Sequence, residues 1–286
     1  MKNKFLKWPS WPEFGKNEHE VVDRVIKSNQ LFADKEVKLF EQQFANFIGT
    51  KFALGVGNAT QGLHLALIAL KIGIGDEVIV TSYSWISTAS CILMQNAVPV
   101  FCDIELISFG ACSKDIEKKV TKNTKAIIIT HMFGYPARIN NILKVGEKFN
   151  IPVIEDSSHA FGASVSNNKL GSFGEISVFS LHQRKSLPVG DGGIVCTSNE
   201  TIRDKIYRLR SFGDKELSYN YRMTEFAGAL GQVGLRKIDN DNKIRNDHFK
   251  LFKKNLKNTN CLYILSPQKK EYSVFYATLL ILKKNI

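Results

Sequence analysis

Phe52-Ala53-Leu54-Gly55-Val56-Gly57-Asn58-Ala59-Thr60-Gln61-Gly62 is the stretch on which the reading of the fold turns. A strand-like apolar run enters a small-residue turn, and the turn opens onto Thr60 to Ile72, a largely apolar helical segment. A helix without a polar face is a buried one. Strand, tight turn and buried helix in this order begin a strand–helix alternation. The turn also has chemistry. Small residues let a backbone approach a ligand closely, and a helix start offers free N–H groups to an anion. The stretch is neither a GxGxxG nor a Walker sequence. By itself it reads either as a phosphate site or as an ordinary turn.

The alternation continues in both directions. Upstream, Val37, Leu39, Phe40, Phe44, Phe47 and Ile48 have helical spacing within Glu36 to Ile48. Downstream, strand-like runs at Glu77 to Val80, Val98 to Cys102, Ala126 to Thr130, Pro152 to Glu155, Ile176 to Ser180 and Gly193 to Thr197 frame helical segments at Ser84 to Gln95, Ser113 to Val120 and Asn140 to Phe149. This rhythm predicts an α/β fold with a mostly parallel sheet covered by helices on both faces. From Thr201 the chain turns helical, at Ile202 to Ser211, Met223 to Leu235 and Asp239 to Leu256, with a shift to Lys- and Asn-rich sequence near Lys237. That shift suggests a domain boundary, with 1–237 a large domain carrying an N-terminal arm and 238–286 a smaller C-terminal piece. Cys261 to Leu265 and Ser273 to Leu282 read as two further strands.

Composition excludes several function classes. The 286 residues are 44% hydrophobic and 23% charged, an ordinary globular balance. No apolar run reaches the ~18 residues of a membrane helix, and the basic start at Met1-Lys2-Asn3-Lys4 lacks the apolar core of a signal peptide. Five scattered cysteines without a CxxC pair argue against a disulfide framework or a zinc site and point to a reducing, cytoplasmic compartment. The net charge is +12, and residues 236 to 286 carry 12 Lys/Arg against 4 Asp/Glu. No nucleic-acid signature accompanies that charge, so it reads as a solvated basic face or as attraction for a small anionic substrate.

Ligands of open α/β sheets bind beyond the carboxyl ends of the strands. At one such end stands Ile154-Glu155-Asp156-Ser157-Ser158-His159-Ala160. Asp156 reads as a helix cap, or as a carboxylate that holds a proton on a ring nitrogen with His159 packed beside that ring. At another, Ser177 to Ser180 leads to Lys185 and then to Gly190-Asp191-Gly192-Gly193. A lysine here reads as a surface charge or, if desolvated, as an amine nucleophile able to form Schiff bases. Tyr219-Asn220-Tyr221-Arg222-Met223-Thr224-Glu225 leads into a helix that Thr224 could cap.

Together these motifs resemble the DegT/DnrJ/EryC1/StrS family of sugar aminotransferases. The resemblance runs from about Phe44 to about Leu282. It is carried by Gly57-Asn58-Ala59-Thr60, Gly75-Asp76-Glu77-Val78-Ile79-Val80, Glu155 to Gly162, Gly171-Ser172-Phe173-Gly174, Lys185 with Gly190-Asp191-Gly192-Gly193, and Asn220 to Glu225. It implies a type I aminotransferase fold and a homodimer with sites at the subunit interface. It implies pyridoxal 5'-phosphate as cofactor, joined to Lys185 through its amine. By the same resemblance Asp156 pairs with the ring nitrogen, Trp85 stacks on the ring, and His159 lies near the phenolic oxygen. Thr60, Gln61 and Ser180 hold the phosphate, and Asn220 reaches the phosphate of the partner subunit. The implied reaction moves an amino group from L-glutamate or L-glutamine to a nucleotide-linked ketosugar in amino-sugar biosynthesis, without nucleic acid or membrane as partner. Two features depart from the pattern. Arg184 stands where a smaller residue is common, and family members are longer, so residues 238–286 are expected to be an incomplete small domain. An inactive binding or regulatory relative is therefore a second expectation. A sugar dehydrase of the same family is a third, against which Lys185 speaks, because that branch carries His in its place.

Overall fold

The computed structural model describes residues 10–32, 34–212, 217–259 and 261–283. In chain order the strands are β1 (Phe52–Val56), β2 (Glu77–Thr81), β3 (Val98–Cys102), β4 (Thr124–Thr130), β5 (Val153–Asp156), β6 (Ser164–Val165), β7 (Asn168–Lys169), β8 (Ile176–Ser180), β9 (Gly193–Thr197), β10 (Leu262–Ile264), β11 (Glu271–Tyr272) and β12 (Leu280–Leu282). The helices are α1 (Lys16–Ser28), α2 (Lys35–Ile48), α3 (Ala59–Ala69), α4 (Ser87–Met94), α5 (Ser113–Lys119), α6 (Ile139–Phe149), α7 (Glu200–Leu209) and α8 (Glu225–Asn255).

The main sheet has seven strands in the order β1-β9-β8-β5-β4-β2-β3. Only β9 runs against its neighbours; the other ladders are parallel. This is the mostly parallel α/β sheet expected from the alternation.

Successive side chains of a strand point to opposite faces, and the core divides accordingly. Leu54, Val56, Val80, Ile128, Ile154 and Val178 pack with Leu63 and Leu67 of α3, Ile92 of α4 and Ile206 of α7 on one face. On the other face Ala53, Phe179 and Ile194 pack with Phe40 and Phe44 of α2 and with Ala227 of α8. Further along that face, Ile79, Ile127, Ile129 and Val153 meet Ile116 of α5 and Ile142 of α6. Phe44 sits edge-on to Phe40, Phe161 and Phe179 at centroid distances of 5.6, 6.2 and 5.0 Å.

Three departures from the sequence reading have physical causes. The N-terminal arm contains α1, whose Val21 and Val25 pack on Ala229 and Val233 of α8. Its apolar stripe is too narrow to stand out from the charged residues around it. The two helices read on either side of Lys237 are one helix, because the polar run there lies on the outer face of α8 and does not interrupt it. The run from Ser273 to Leu282 is not one strand. Only its end, β12, is a strand; β11 lies just before it, and the residues between the two form an irregular passage in which Phe275 has φ 46°.

Candidate active site

The carboxyl ends of β1, β2, β4, β5 and β8 converge on the face covered by α3 and α4. Asp156, last residue of β5, shares the face of Ile154 and is 5% exposed. Its Oδ2 accepts a hydrogen bond from Thr88 Oγ1 of α4 at 2.8 Å, and its Oδ1 accepts the Ser158 N–H at 3.2 Å. Thr88 Oγ1 also meets Ser84 Oγ at 2.7 Å, and Ser84 Oγ meets Thr130 Oγ1 at 2.8 Å. A chain of three hydroxyls thus fixes the orientation of the carboxylate from α4 and the end of β4. Thr88, Ser84 and Thr130 were not singled out from the sequence as site residues. The available signal was the density of hydroxyls in Ser84-Trp85-Ile86-Ser87-Thr88, directly after a buried strand.

Glu155, one residue earlier, points to the other face and is fully buried. Its Oε1 accepts from the N–H groups of Phe173 and Gly174 at 2.8 and 2.7 Å, and its Oε2 from Gly171 N–H and His131 Nε2 at 2.9 Å each. Burial pushes its carboxyl up, but His131 and the Gly174 and Gly171 N–H groups outweigh that and hold it below the usual range. The Gly171-Ser172-Phe173-Gly174 turn is thus a cradle for this carboxylate. A Cβ on Gly174 would stand 2.5 Å from Val153 O, and Gly171 has φ +94°.

Lys185 lies half-buried in the turn after β8, its N–H bonded to His182 O at 2.8 Å. Burial lowers the pKa of its amine, and the charge of Asp156 opposes that. His159 belongs to the same group. Burial pushes its imidazole down to about 4, aided by the Lys185 charge and opposed by Asp156. Its Nδ1 accepts the Phe133 N–H at 3.3 Å, so the neutral ring carries its proton on Nε2. Tyr276, not singled out from the sequence, stacks on His159 at 4.3 Å and 6°. A run of apolar and aromatic residues near a chain end gave no cue to it.

The second corner of the site is the start of α3. Asn58 caps the helix by accepting Gln61 N–H at 3.0 Å, and its carbonyl takes Gly62 N–H at 3.1 Å. The N–H groups of Ala59 and Thr60 have no intrahelical acceptor at this position. Thr60 Oγ1 donates to Ser87 Oγ at 2.8 Å. Ser180, ending β8, pairs with Gly193. A Cβ on Gly193 would lie 2.5 Å from Asn58 C and 2.7 Å from Ala59 N, so β9 is pressed against the helix start. Ser180 and Thr60 therefore border one region. Among the described residues, buried Gln61 Oε1, Ser157 Oγ and Ser186 Oγ have no hydrogen-bond partner.

Two expected residues stand apart. Trp85 is 71% exposed at the approach to α4. Asn220 is exposed, and its Oδ1 accepts from Arg222 Nη2 at 3.2 Å. The guanidinium of Arg222 lies over the rings of Phe32 and Phe212 at 4.1 and 4.8 Å.

A family model for DegT/DnrJ/EryC1/StrS aminotransferases matches residues 12–286. An uncharacterized protein of Methanocaldococcus jannaschii is 35% identical over 269 residues, which cover 87% of this chain and 69% of that protein. GDP-perosamine synthase of Vibrio cholerae is 33% identical over 254 residues, covering 86% and 69%. Among solved structures, the aminotransferase TlmJ of Streptoalloteichus hindustanus superposes with a TM-score of 0.93 at 26% identity, covering 96% of this chain and 78% of that one. The fold is that of a type I aminotransferase. On the family match along the chain and the identity to these relatives, the protein belongs to the DegT/DnrJ/EryC1/StrS aminotransferase family, whose aminotransferases depend on pyridoxal phosphate.

Proposed function

We propose that the chain is a pyridoxal-phosphate-dependent transaminase that moves an amino group from L-glutamate or L-glutamine to a nucleotide-linked ketosugar. The observation that carries this reading is the grouping of a desolvated amine, Lys185, with the buried carboxylate of Asp156 and the neutral imidazole of His159 beyond the strand ends. The residues fit the cofactor. An oriented carboxylate suits a protonated ring nitrogen, and a desolvated amine suits an aldehyde carbon. The start of α3, with Thr60, Gln61 and Ser180, suits a phosphate. Gln61 Oε1 and Ser186 Oγ, buried without partners, are polar atoms left for a ligand or its waters.

When bound, pyridoxal phosphate supplies an electron sink for the bond being broken next to the amine. Asp156 holds a proton at the ring nitrogen, and the Thr130–Ser84–Thr88 hydroxyls keep the carboxylate aimed. Lys185, its pKa lowered by burial, removes the proton from the α-carbon of the amino donor as a general base. His159 offers its Nε2–H as a hydrogen-bond donor and adds no charge. Trp85 would cover the ring, and Asn220 would reach the partner's phosphate in a homodimer. The GDP-perosamine synthase relatives support a sugar acceptor, and the basic stretch after Lys237 would attract its diphosphate. The reading includes a cytoplasmic location. No helix among the described residues is long and apolar enough to cross a membrane. It also divides the chain into a cofactor-binding domain, 1–237, and a small-domain portion, 238–286, joined through α8.

The test is optical and chemical. Purified protein reconstituted with the cofactor should be yellow, L-glutamate should discharge the visible band, and Lys185→Ala should be colourless. Incubation with GDP- or dTDP-linked 4-keto-6-deoxyhexoses and L-glutamate should give an aminosugar nucleotide by mass spectrometry. A yellow protein that ignores every amino donor would instead favour the binding relative, and a deoxygenated product the dehydrase.

A further inference from the structure

The passage between β11 and β12 is tied to the turn after β4. Ser273 Oγ donates to Gly134 O at 2.8 Å, Val274 N–H to the same carbonyl at 3.2 Å, and Ala277 N–H to Phe133 O at 3.3 Å. Gly134 has φ +84°, and a Cβ there would meet Val274 Cγ2 at 2.8 Å and Tyr276 N at 3.1 Å. Phe275 stacks on Phe249 of α8 at 3.8 Å and stands edge-on to Tyr135 at 5.5 Å. Its φ of 46° is strained for a bulky residue, and the packing of its ring holds it there. That turn of the backbone sends the next side chain, Tyr276, the other way, onto the site.

Tyr276 makes three contacts there. Its ring lies parallel to the His159 imidazole at 4.3 Å. The Lys185 amine is 5.4 Å from the centroid of the same ring. Its hydroxyl donates to Arg184 O, one residue before Lys185, at 3.2 Å. The Phe133 ring is also parallel to the imidazole, its centroid 6.1 Å away at 11°, and the Phe133 N–H occupies Nδ1. The imidazole thus has one ring stacked on it and one nitrogen filled by a donor.

We propose that Tyr276 is a positioning residue of the active site, holding His159 in a single orientation as a neutral Nε2–H donor and shielding the Lys185 amine from water. The inference rests on the site proposed above and adds a residue from beyond α8. The groups that face His159 are Asp156 from β5, Lys185 from the turn after β8, the Phe133 N–H from the turn after β4, and Tyr276 itself. Only Asp156 favours a charged imidazole, and burial and Lys185 outweigh it.

The test compares Tyr276→Phe, which keeps the ring, with Tyr276→Ala, which removes it. His159 is followed by NMR in the full chain, assigned by the signal lost in His159→Asn, before and after adding pyridoxal phosphate. In the wild-type chain without cofactor the ring should stay neutral down to about pH 5. Tyr276→Phe should behave the same, whereas in Tyr276→Ala the midpoint should rise by about one unit or more as water reaches the ring. Lys185 should also react faster with an amine-selective reagent in Tyr276→Ala alone. A wild-type midpoint near the unperturbed ~6.5 overturns the proposal without any variant. So does a Tyr276→Ala curve that matches wild type. Because the titration is read before loading, failure to bind the cofactor would sink the proposed function and leave this result standing.

Discussion

Replacing Glu155 by Gln is the most informative single change in the molecule, because it alters one atom at a carboxylate with no solvent contact. Each oxygen of Glu155 faces two donors, Phe173 and Gly174 N–H on one side and Gly171 N–H and His131 Nε2 on the other. An amide must turn its NH2 toward one of these pairs. Facing Phe173 and Gly174, it leaves two N–H groups unsatisfied. Facing Gly171 and His131, it could be relieved only by moving the imidazole proton to Nδ1, but Nδ1 already accepts the Ala137 N–H at 3.1 Å, which would then be orphaned. Two buried donors lose their acceptor in either arrangement. At about 1–3 kcal/mol each, the change should cost about 2–6 kcal/mol, a large share of the ~5–15 kcal/mol that holds a typical protein folded. Urea unfolding of wild type and Glu155→Gln at pH 7 measures this. The pH dependence is a second check. The pKa of Glu155 is lowered in the folded chain, so its contribution is present above the unfolded value of 4.5 and is lost as pH falls through the lower folded one. The stability gap between the proteins should be constant from about pH 5 to 8 and narrow below pH 4.5. A difference under about 1 kcal/mol at pH 7 would refute the cradle as a structural device.

Three further changes probe the site and its support. Thr88→Val keeps the volume but removes the donor to Asp156, worth about 1.5–3 kcal/mol to a carboxylate; melting should drop by several degrees, Thr88→Ser should recover most of it, and equal melting of all three proteins would remove Thr88 from the account. Gly193→Ala puts a methyl 2.5 Å from the Asn58 backbone, so β9 must withdraw from the start of α3; affinity for pyridoxal phosphate, read by absorbance titration, should fall at least about tenfold, and unchanged affinity would contradict the placement of the phosphate. Gly228→Ala sets a Cβ 2.7 Å from Val37 N, where α8 crosses α2 backbone to backbone; an overpacking cost of about 1–3 kcal/mol should appear in denaturant unfolding, and a stabilised variant would show that the crossing has slack.

What the sequence made legible follows from burial. A strand covered on both faces must be apolar throughout, so β8 and β9 could be read to the residue, and their glycine- and hydroxyl-bearing ends marked the ligand side. What it hid depends on contacts between distant segments. Tyr276 reaches His159 only because Phe275 adopts a left-handed conformation imposed by Phe249 and Tyr135, and no local pattern announces that. Helix α1 was missed because two valines make a narrow stripe, and the unity of α8 because a polar outer face resembles a linker.

Glu155 and Asp156 lie between these cases. Two carboxylates in a row at a strand end cannot both face a ligand, because the pleat sends them to opposite sides. Parity with Ile154 and Val153 assigns Asp156 to the α3–α4 side and Glu155 to the other. Once Glu155 is turned away from the ligand, it is a buried charge and requires donors of its own. The Gly171-Ser172-Phe173-Gly174 turn supplies them as backbone N–H groups, and at Gly174 and Gly171 a side chain would collide with Val153 O and Phe179. Two motifs that look independent along the chain are therefore one device. The glycine turn stabilises the ionised structural carboxylate, and that anchors the end of β5 on which Asp156 is presented.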